Sequence, residues 1–264
     1  MRYGVSFYMG ASEQVALAKQ AGFDYVECGF QQFVRGDAAM LSAYRRALEA
    51  NDILCEAANC FIPGDLPIIG KDYARPEMRE FIDTGMRVGK DFGLQTVVFG
   101  SGGARKLPED VPFDEGARQL VAFLRDVVSP IAAKYNVTVV VEPLRRDESN
   151  LIHTLDEGGM IAALADRPNI ALLADVYHMW GAGDTFDDIR RFKGFLRHGH
   201  ISNPVPPDTK AKRTFPMRAD EFDYTGFVAA LRDAGCERCS IEAHCYDFPS
   251  EIQLAGTLLR GLQV

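Results

Sequence analysis

The stretch Val137-Thr138-Val139-Val140-Val141-Glu142-Pro143-Leu144 decides the fold. Five β-branched residues in a row favour a strand, and a run with so little polar alternation suits one covered on both faces. A carboxylate ends the run and a proline stops it. The same grammar recurs outward along the chain, at Tyr3–Tyr8, Tyr25–Gly29, Leu54–Cys60, Thr96–Gly100, Ile170–Val176, Arg197–Ser202 and Cys239–His244. Amphipathic stretches lie between these candidates. Ser12 is placed to cap a helix starting near Glu13, and Gly22 to end it. Pro76 suits a first helical position. Leu120, Leu124, Val127 and Ile131 recur at helical spacing, and Pro130 predicts a break or bend there. Asp223–Ala234 and Ser250–Leu262 read as the last two helices.

Strands alternating with helices imply a parallel α/β fold. Dividing 264 residues by eight gives 33 per unit, the size expected of a single (β/α)8 barrel. A doubly wound open sheet would need a glycine-rich fingerprint after its first strand, and Tyr8-Met9-Gly10-Ala11 is not one. No linker or low-complexity tract divides the chain, so one domain over 1–264 is expected. The long irregular stretch Asn203–Asp220, rich in proline and carrying several cations, is expected to be functional or mobile.

Composition narrows the partners. The net charge of −8 disfavours nucleic acid, whose backbone is bound mainly by Lys and Arg. The start of the chain has too short an apolar run for a secretory signal, and no segment approaches the ~20 residues of a membrane span. The six cysteines read as reduced thiols, which fits a cytoplasmic location. Cys236-Glu237-Arg238-Cys239 is a lone CxxC, read as two semi-buried thiols rather than half a zinc site.

Barrel chemistry sits at the C-terminal ends of strands. Four successive candidates end in Glu142, Asp175, His200 and Glu242, separated by 33, 25 and 42 positions, each about one repeat. Their side chains can therefore converge over one mouth. Three carboxylates and an imidazole make an oxygen-rich set suited to Mn²⁺, Mg²⁺ or Co²⁺. Each acidic residue alone could be a cap or a loop ion pair; four on successive strands after buried runs point to a shared metal.

At these residues the chain resembles the xylose isomerase-like barrel superfamily, and within it the ketose 3-epimerases of the D-tagatose and D-psicose type. The resemblance rests on Glu142-Pro143-Leu144-Arg145-Arg146-Asp147-Glu148, Asp175-Val176-Tyr177-His178, His198-Gly199-His200 and Ile241-Glu242, with Phe7-Tyr8 and Gly100-Ser101-Gly102-Gly103 also fitting. It implies one divalent ion, Mn²⁺ by preference, held by Glu142, Asp175, His200 and Glu242. Glu142 and Glu242 would be the acid/base pair, and Glu148, His178 and Tyr8 would contact substrate. The reaction implied moves a proton on and off the carbon beside a metal-bound carbonyl through a cis-enediolate. The substrate would be a keto sugar or keto-glycoside, with no nucleic acid or membrane partner and with self-association common in the group.

Two departures stand out. The family's Arg shortly after the strand-seven His arrives late here, as Arg213, so either the loop doubles back or that contact is lost. Arg145 replaces the motif's Asn and is expected to form a loop ion pair with Asp147 or another acid, the alternative being a cation that greets an acidic or phosphorylated substrate. Glu27, Glu56, Asn59, His244, Cys245 and Trp180 are further candidates for the pocket wall, whereas His153 and His198 read as structural. Alternatives to an epimerase or isomerase are a lyase on a 3-keto sugar, of the inosose dehydratase or C-glycoside-cleaving kind, and a hydroxypyruvate isomerase-like enzyme. A nuclease would need several metals, more His and a basic groove. A non-catalytic sugar-binding barrel would not need both glutamates.

Overall fold

The computed structural model describes residues 1–205 and 212–262; the expectation placed on the 203–220 stretch falls partly on 206–211, outside the described residues. The strands are β1 (Arg2–Ser6), β2 (Tyr25–Gly29), β3 (Cys55–Asn59), β4 (Thr96–Phe99), β5 (Thr138–Val141), β6 (Ile170–Asp175), β7 (Leu196–Ile201) and β8 (Arg238–Ile241). Each pairs in parallel with the next and β8 pairs with β1, closing a (β/α)8 barrel. The helices are α1 (Gln14–Gln20), α2 (Gln31–Arg35), α3 (Ala38–Ala50), α4 (Pro76–Lys90), α5 (Phe113–Phe123), α6 (Ser129–Lys134), α7 (Leu155–Ala165), α8 (Val176–Ala182), α9 (Phe186–Arg191), α10 (Tyr224–Asp233) and α11 (Phe248–Gly261). Among the described residues no helix is long and apolar enough to cross a membrane.

Local chemistry explains most boundaries. Pro76 opens α4 as expected. Asp37 and Thr154 cap α3 and α7 by accepting the N–H of Met40 and Glu157. Gly22 follows α1 at φ +86°, where a Cβ would be strained. Ser12 does not cap α1. Glu13 holds the cap position, and backbone carbonyls of a preceding turn, Ala11 and Ser12, accept the first N–H groups instead. Pro130 does not break its helix either. Leu124–Val128 widen into a π turn that leads from α5 straight into α6. Proline lacks the N–H for the carbonyl four residues back and its ring crowds that carbonyl, a conflict a π turn absorbs.

Period-two alternation sorts the strand side chains. Inside the barrel, β4 to β6 contribute a small apolar cluster of Val98, Val140, Ala171 and Leu173, separate from the large core between strands and helices. The β2, β7 and β8 side is polar: Tyr25, Glu27, His198 and Ser240 are all buried there. Gly4 leaves room for the Tyr25 ring, since a Cβ at Gly4 would lie 2.2 Å from it. At the N-terminal end, Glu56 pairs with Arg2 at 2.6 Å and Arg238 at 3.1 Å. Glu56 therefore begins β3 rather than ending it, and does not reach the opposite mouth. Cys236 and Cys239 are buried free thiols, with Cys236 Sγ 3.2 Å from the Arg238 carbonyl.

Candidate functional site

Glu142 follows β5, Asp175 ends β6, His200 lies near the end of β7 and Glu242 follows β8. The register pairs Asp175 with His200 and Ile201 with Ile241, bringing these ends to one level. One ligand-type atom from each of the four lies within 4.8 Å of the others. His200 Nδ1 is 3.1 Å from Glu142 Oε1, 3.1 Å from Glu242 Oε2 and 3.8 Å from Asp175 Oδ2. Above them opens a cavity of about 350 Å³ lined by Asn59, Gly100 to Gly103, Glu142, Glu148, His178, Arg213 and Glu242, among others. A larger polar cavity of about 740 Å³ lies at the other end of the barrel and contains none of the four.

Several sequence candidates meet this cavity. His178 Nδ1 accepts the Arg145 N–H at 3.2 Å, and its Nε2 is 3.7 Å from Asp175 Oδ2. Asn59 Nδ2 donates to Glu242 Oε1 at 2.8 Å and to Ser6 Oγ at 2.9 Å. The glycine wall is a packing requirement: a Cβ on Gly100 would lie 2.4 Å from Glu142 Oε2, and one on Gly102 would lie 2.5 Å from the Glu148 carbonyl. The chain is back at the barrel mouth by Arg213. Asn203 and Thr214 exchange backbone hydrogen bonds, His244 donates its N–H to the Arg213 carbonyl, and the guanidinium reaches Asp175 at 2.6 Å and Glu242 at 2.8 Å. It also covers the Tyr177 ring at 4.9 Å, with Arg145 at 4.6 Å from the same ring. Arg145 pairs with Asp147 at 3.3 Å, the loop ion pair expected of it.

Other candidates sit elsewhere. Tyr8 is 65% exposed and lines an adjoining groove with Gln31, Gln32 and Met40, not the cavity. β1 ends at Ser6, so both aromatic residues lie beyond the strand; Phe7 packs on Tyr44 and Phe248, and Tyr8 turns over Gly10. Trp180 lines a separate apolar cavity with Met179, Phe186 and Phe222. His244 packs on Tyr246, and Cys245 is likewise absent from the cavity lining. His153 is buried with Nδ1 3.0 Å from the Leu144 carbonyl.

Glu27 is the residue whose place the sequence reading missed. It lies beneath His200, not at the mouth, fully buried, with Oε1 3.1 Å from His200 Nε2 and Oε2 3.2 Å from His198 Nε2. A lone charge inside the otherwise apolar Tyr25-Val26-Glu27-Cys28 is the signal that could have found it.

The electrostatics follow from burial and charge. Burial alone would push His200 down, but the carboxylates of Glu27 and Glu242 outweigh it and hold the ring protonated well above its ordinary range. Burial pushes Glu142 up, reinforced by Glu242. For Glu242 and Asp175, burial acts upward too, but Arg213 and neighbouring imidazoles overcome it and hold both below the usual range. Cys60, on the cavity wall, is pushed up to about 12 by burial and nearby carboxylates, so its thiol stays protonated. Two buried carboxylates and a third partly buried one crowded on one imidazole need positive charge. Their oxygen-rich donor set with one nitrogen fits a hard or borderline divalent cation.

The sequence matches the family model described as xylose isomerase-like TIM barrel over residues 15–262. No curated protein matches the chain. Among solved structures, D-allulose 3-epimerase from Methylomonas sp. is similar with a TM-score of 0.80 at 18% identity, covering 99% of this chain and 98% of that one. The 3-keto-D-glucoside 4-epimerase YcjR from E. coli gives 0.76 at 19% identity, covering 100% and 99%. The IOLI protein with a binding zinc atom gives 0.77 at 18% identity, covering 99% and 98%. At such identities the likeness is one of fold.

Proposed function

The chain belongs to the xylose isomerase-like TIM barrel family, and from that premise we propose that it is a divalent-metal-dependent keto-sugar epimerase or isomerase. The observation that carries this reading is the meeting of Glu142, Asp175, His200 and Glu242 at the floor of a sugar-sized cavity. These four would hold the ion, Mn²⁺ by preference. When bound, it would supply Lewis acidity that makes a C–H beside the substrate carbonyl easier to ionise.

The chain's own residues supply the rest. Glu142 and Glu242 rise from strands three places apart around the barrel, so they approach the cavity from different directions. One removes the proton beside the carbonyl and the other returns a proton to the opposite face, inverting that carbon. Arg213 lies against Glu242 and over the cavity, placed to offset negative charge growing on substrate oxygen. His178 and Glu148 offer hydrogen-bonding groups to hydroxyls, and the glycine wall lets the sugar approach the backbone closely. A keto sugar or keto-glycoside fits this chemistry, and two structural neighbours are named as epimerases of such compounds.

The test is proton exchange. The Mn²⁺-loaded protein is incubated in D₂O with ketoses, keto-glycosides and inososes and followed by NMR. Deuterium should enter at the carbon beside the carbonyl, and E142Q and E242Q should each slow exchange by about 10²–10⁴-fold. Loss of an oxygen or aglycone substituent after exchange would identify a lyase instead. Absence of exchange across the panel, or metal-dependent turnover surviving in E142Q, overturns the proposal.

A further inference from the structure

We infer that Glu27 is a positioning residue that holds His200 from beneath, so that the imidazole presents Nδ1 to the carboxylates at the barrel mouth. The inference rests on the reading above in one respect only, that the mouth binds a divalent cation. An imidazole has two nitrogens, and a hydrogen bond at one decides which face of the ring can serve as a ligand. His200 Nε2 is 3.1 Å from Glu27 Oε1, while Nδ1 faces Glu142 and Glu242, each at 3.1 Å. The other Glu27 oxygen is engaged as well, 3.2 Å from His198 Nε2. His198 in turn lies 3.3 Å from Ser240 Oγ, which is 2.9 Å from Tyr25 Oη. Both carboxylate oxygens are therefore committed, and the rotamer under His200 is fixed from two sides.

Energetics argue that this arrangement is not there for stability. A whole buried pair or triad of charged groups is often exchanged for apolar side chains without loss, although removing one member alone is costly. The neighbouring strands show the apolar solution, with Val98, Val140 and Leu173 filling the interior opposite. Glu27, His198 and His200 could themselves be taken for a metal triad, since their ligand-type atoms also lie within 4.8 Å of one another. However, all three are completely enclosed, none lines a described cavity, and both Glu27 oxygens are already occupied by the imidazoles. Orientation is the role this geometry supports.

Glu27→Gln tests it without changing shape. An amide can accept from one Nε2–H but must donate to the other imidazole, so one ring is driven to carry its proton on Nδ1. Glu27→Met removes the hydrogen-bonding group as well as the charge and serves if the Gln variant does not accumulate. The 264-residue chain is titrated with Zn²⁺, a diamagnetic probe, against a chromophoric chelator. Long-range ¹H–¹⁵N spectra read the His200 tautomer in the loaded state. One ion per chain is expected for wild type, with the proton on His200 Nε2. Both variants should bind Zn²⁺ about 10–100-fold more weakly and unfold at a lower temperature than wild type, and the loaded Gln and Met variants should lose the single His200 tautomer that a merely structural role would leave in place. Affinity within threefold of wild type in both variants, or two Zn²⁺ ions per wild-type chain, overturns the inference. A wild-type protein that binds Zn²⁺ through Nδ1 yet exchanges no keto sugar defeats the sugar reading and leaves this one standing.

Discussion

Asn59 shows how much of the site hangs on single hydrogen bonds. Its amide ties Glu242 Oε1 to Ser6, fixing a carboxylate that the barrel otherwise leaves on a short tether past β8. A hydrogen bond to a charged group contributes about 1.5–3 kcal/mol. Asn59→Ala should therefore lower the unfolding temperature and, by loosening Glu242, also lower kcat/KM roughly 10- to 100-fold, measured by calorimetry and by steady-state kinetics on whichever sugar exchanges. Asn59→Asp should do worse, because it adds another carboxylate to a crowded anionic cluster. The convergence of Glu142, Asp175, His200 and Glu242 was legible because strand ends recur once per repeat and strand side chains alternate with a fixed period. Tyr8 and Trp180 were not legible in this way. Tyr8 lies beyond its strand end, where no strand period sets side-chain direction, and Trp180 lies in α8, where its ring packs on Phe222.

Secondary-structure elements carry a second set of consequences. Sequence reading found all eight strands to within a few residues, since buried runs of Val and Ile have few other uses in an α/β chain. Helix entries were less readable. A Ser at the right place is a cap only if the preceding backbone leaves an N–H for it, and before α1 a turn had already satisfied those groups. The connection between α8 and α7 is testable. Asp184, just past α8, accepts the Leu155 N–H at the start of α7, yet burial pushes its pKa up to about 6. A carboxyl that holds its proton more tightly when folded loses its contribution as pH rises from the unfolded value toward about 6. Asp184→Asn keeps the acceptor oxygen and removes the charge. It should raise the unfolding temperature at pH 7.5 and leave it nearly unchanged at pH 4, as calorimetry at the two values would show.

For the molecule as a whole, the barrel has one end tied together by the ion pairs of Arg2, Glu56 and Arg238 and the other built around the carboxylates of Glu142, Asp175 and Glu242. A cation that binds only the folded chain stabilises it by about 2.7 kcal/mol at one hundred times its dissociation constant. In a protein of this size that is roughly 5–10 °C, so Mn²⁺ or Zn²⁺ should raise the unfolding temperature by about that much and a chelator should reverse it. An unfolding temperature indifferent to both ions would contradict a cation at the mouth. The division of the barrel interior into an apolar half and a hydrogen-bonded half reaches further, into descent. Val98, Val140, Ala171 and Leu173 can drift one at a time, because neighbours of similar volume repack around each change. Glu27, His198, Ser240 and Tyr25 have no such freedom, because each lone replacement strands a buried partner. Lineages of this barrel can therefore diverge gradually on one side, while the other is inherited intact or exchanged as a set.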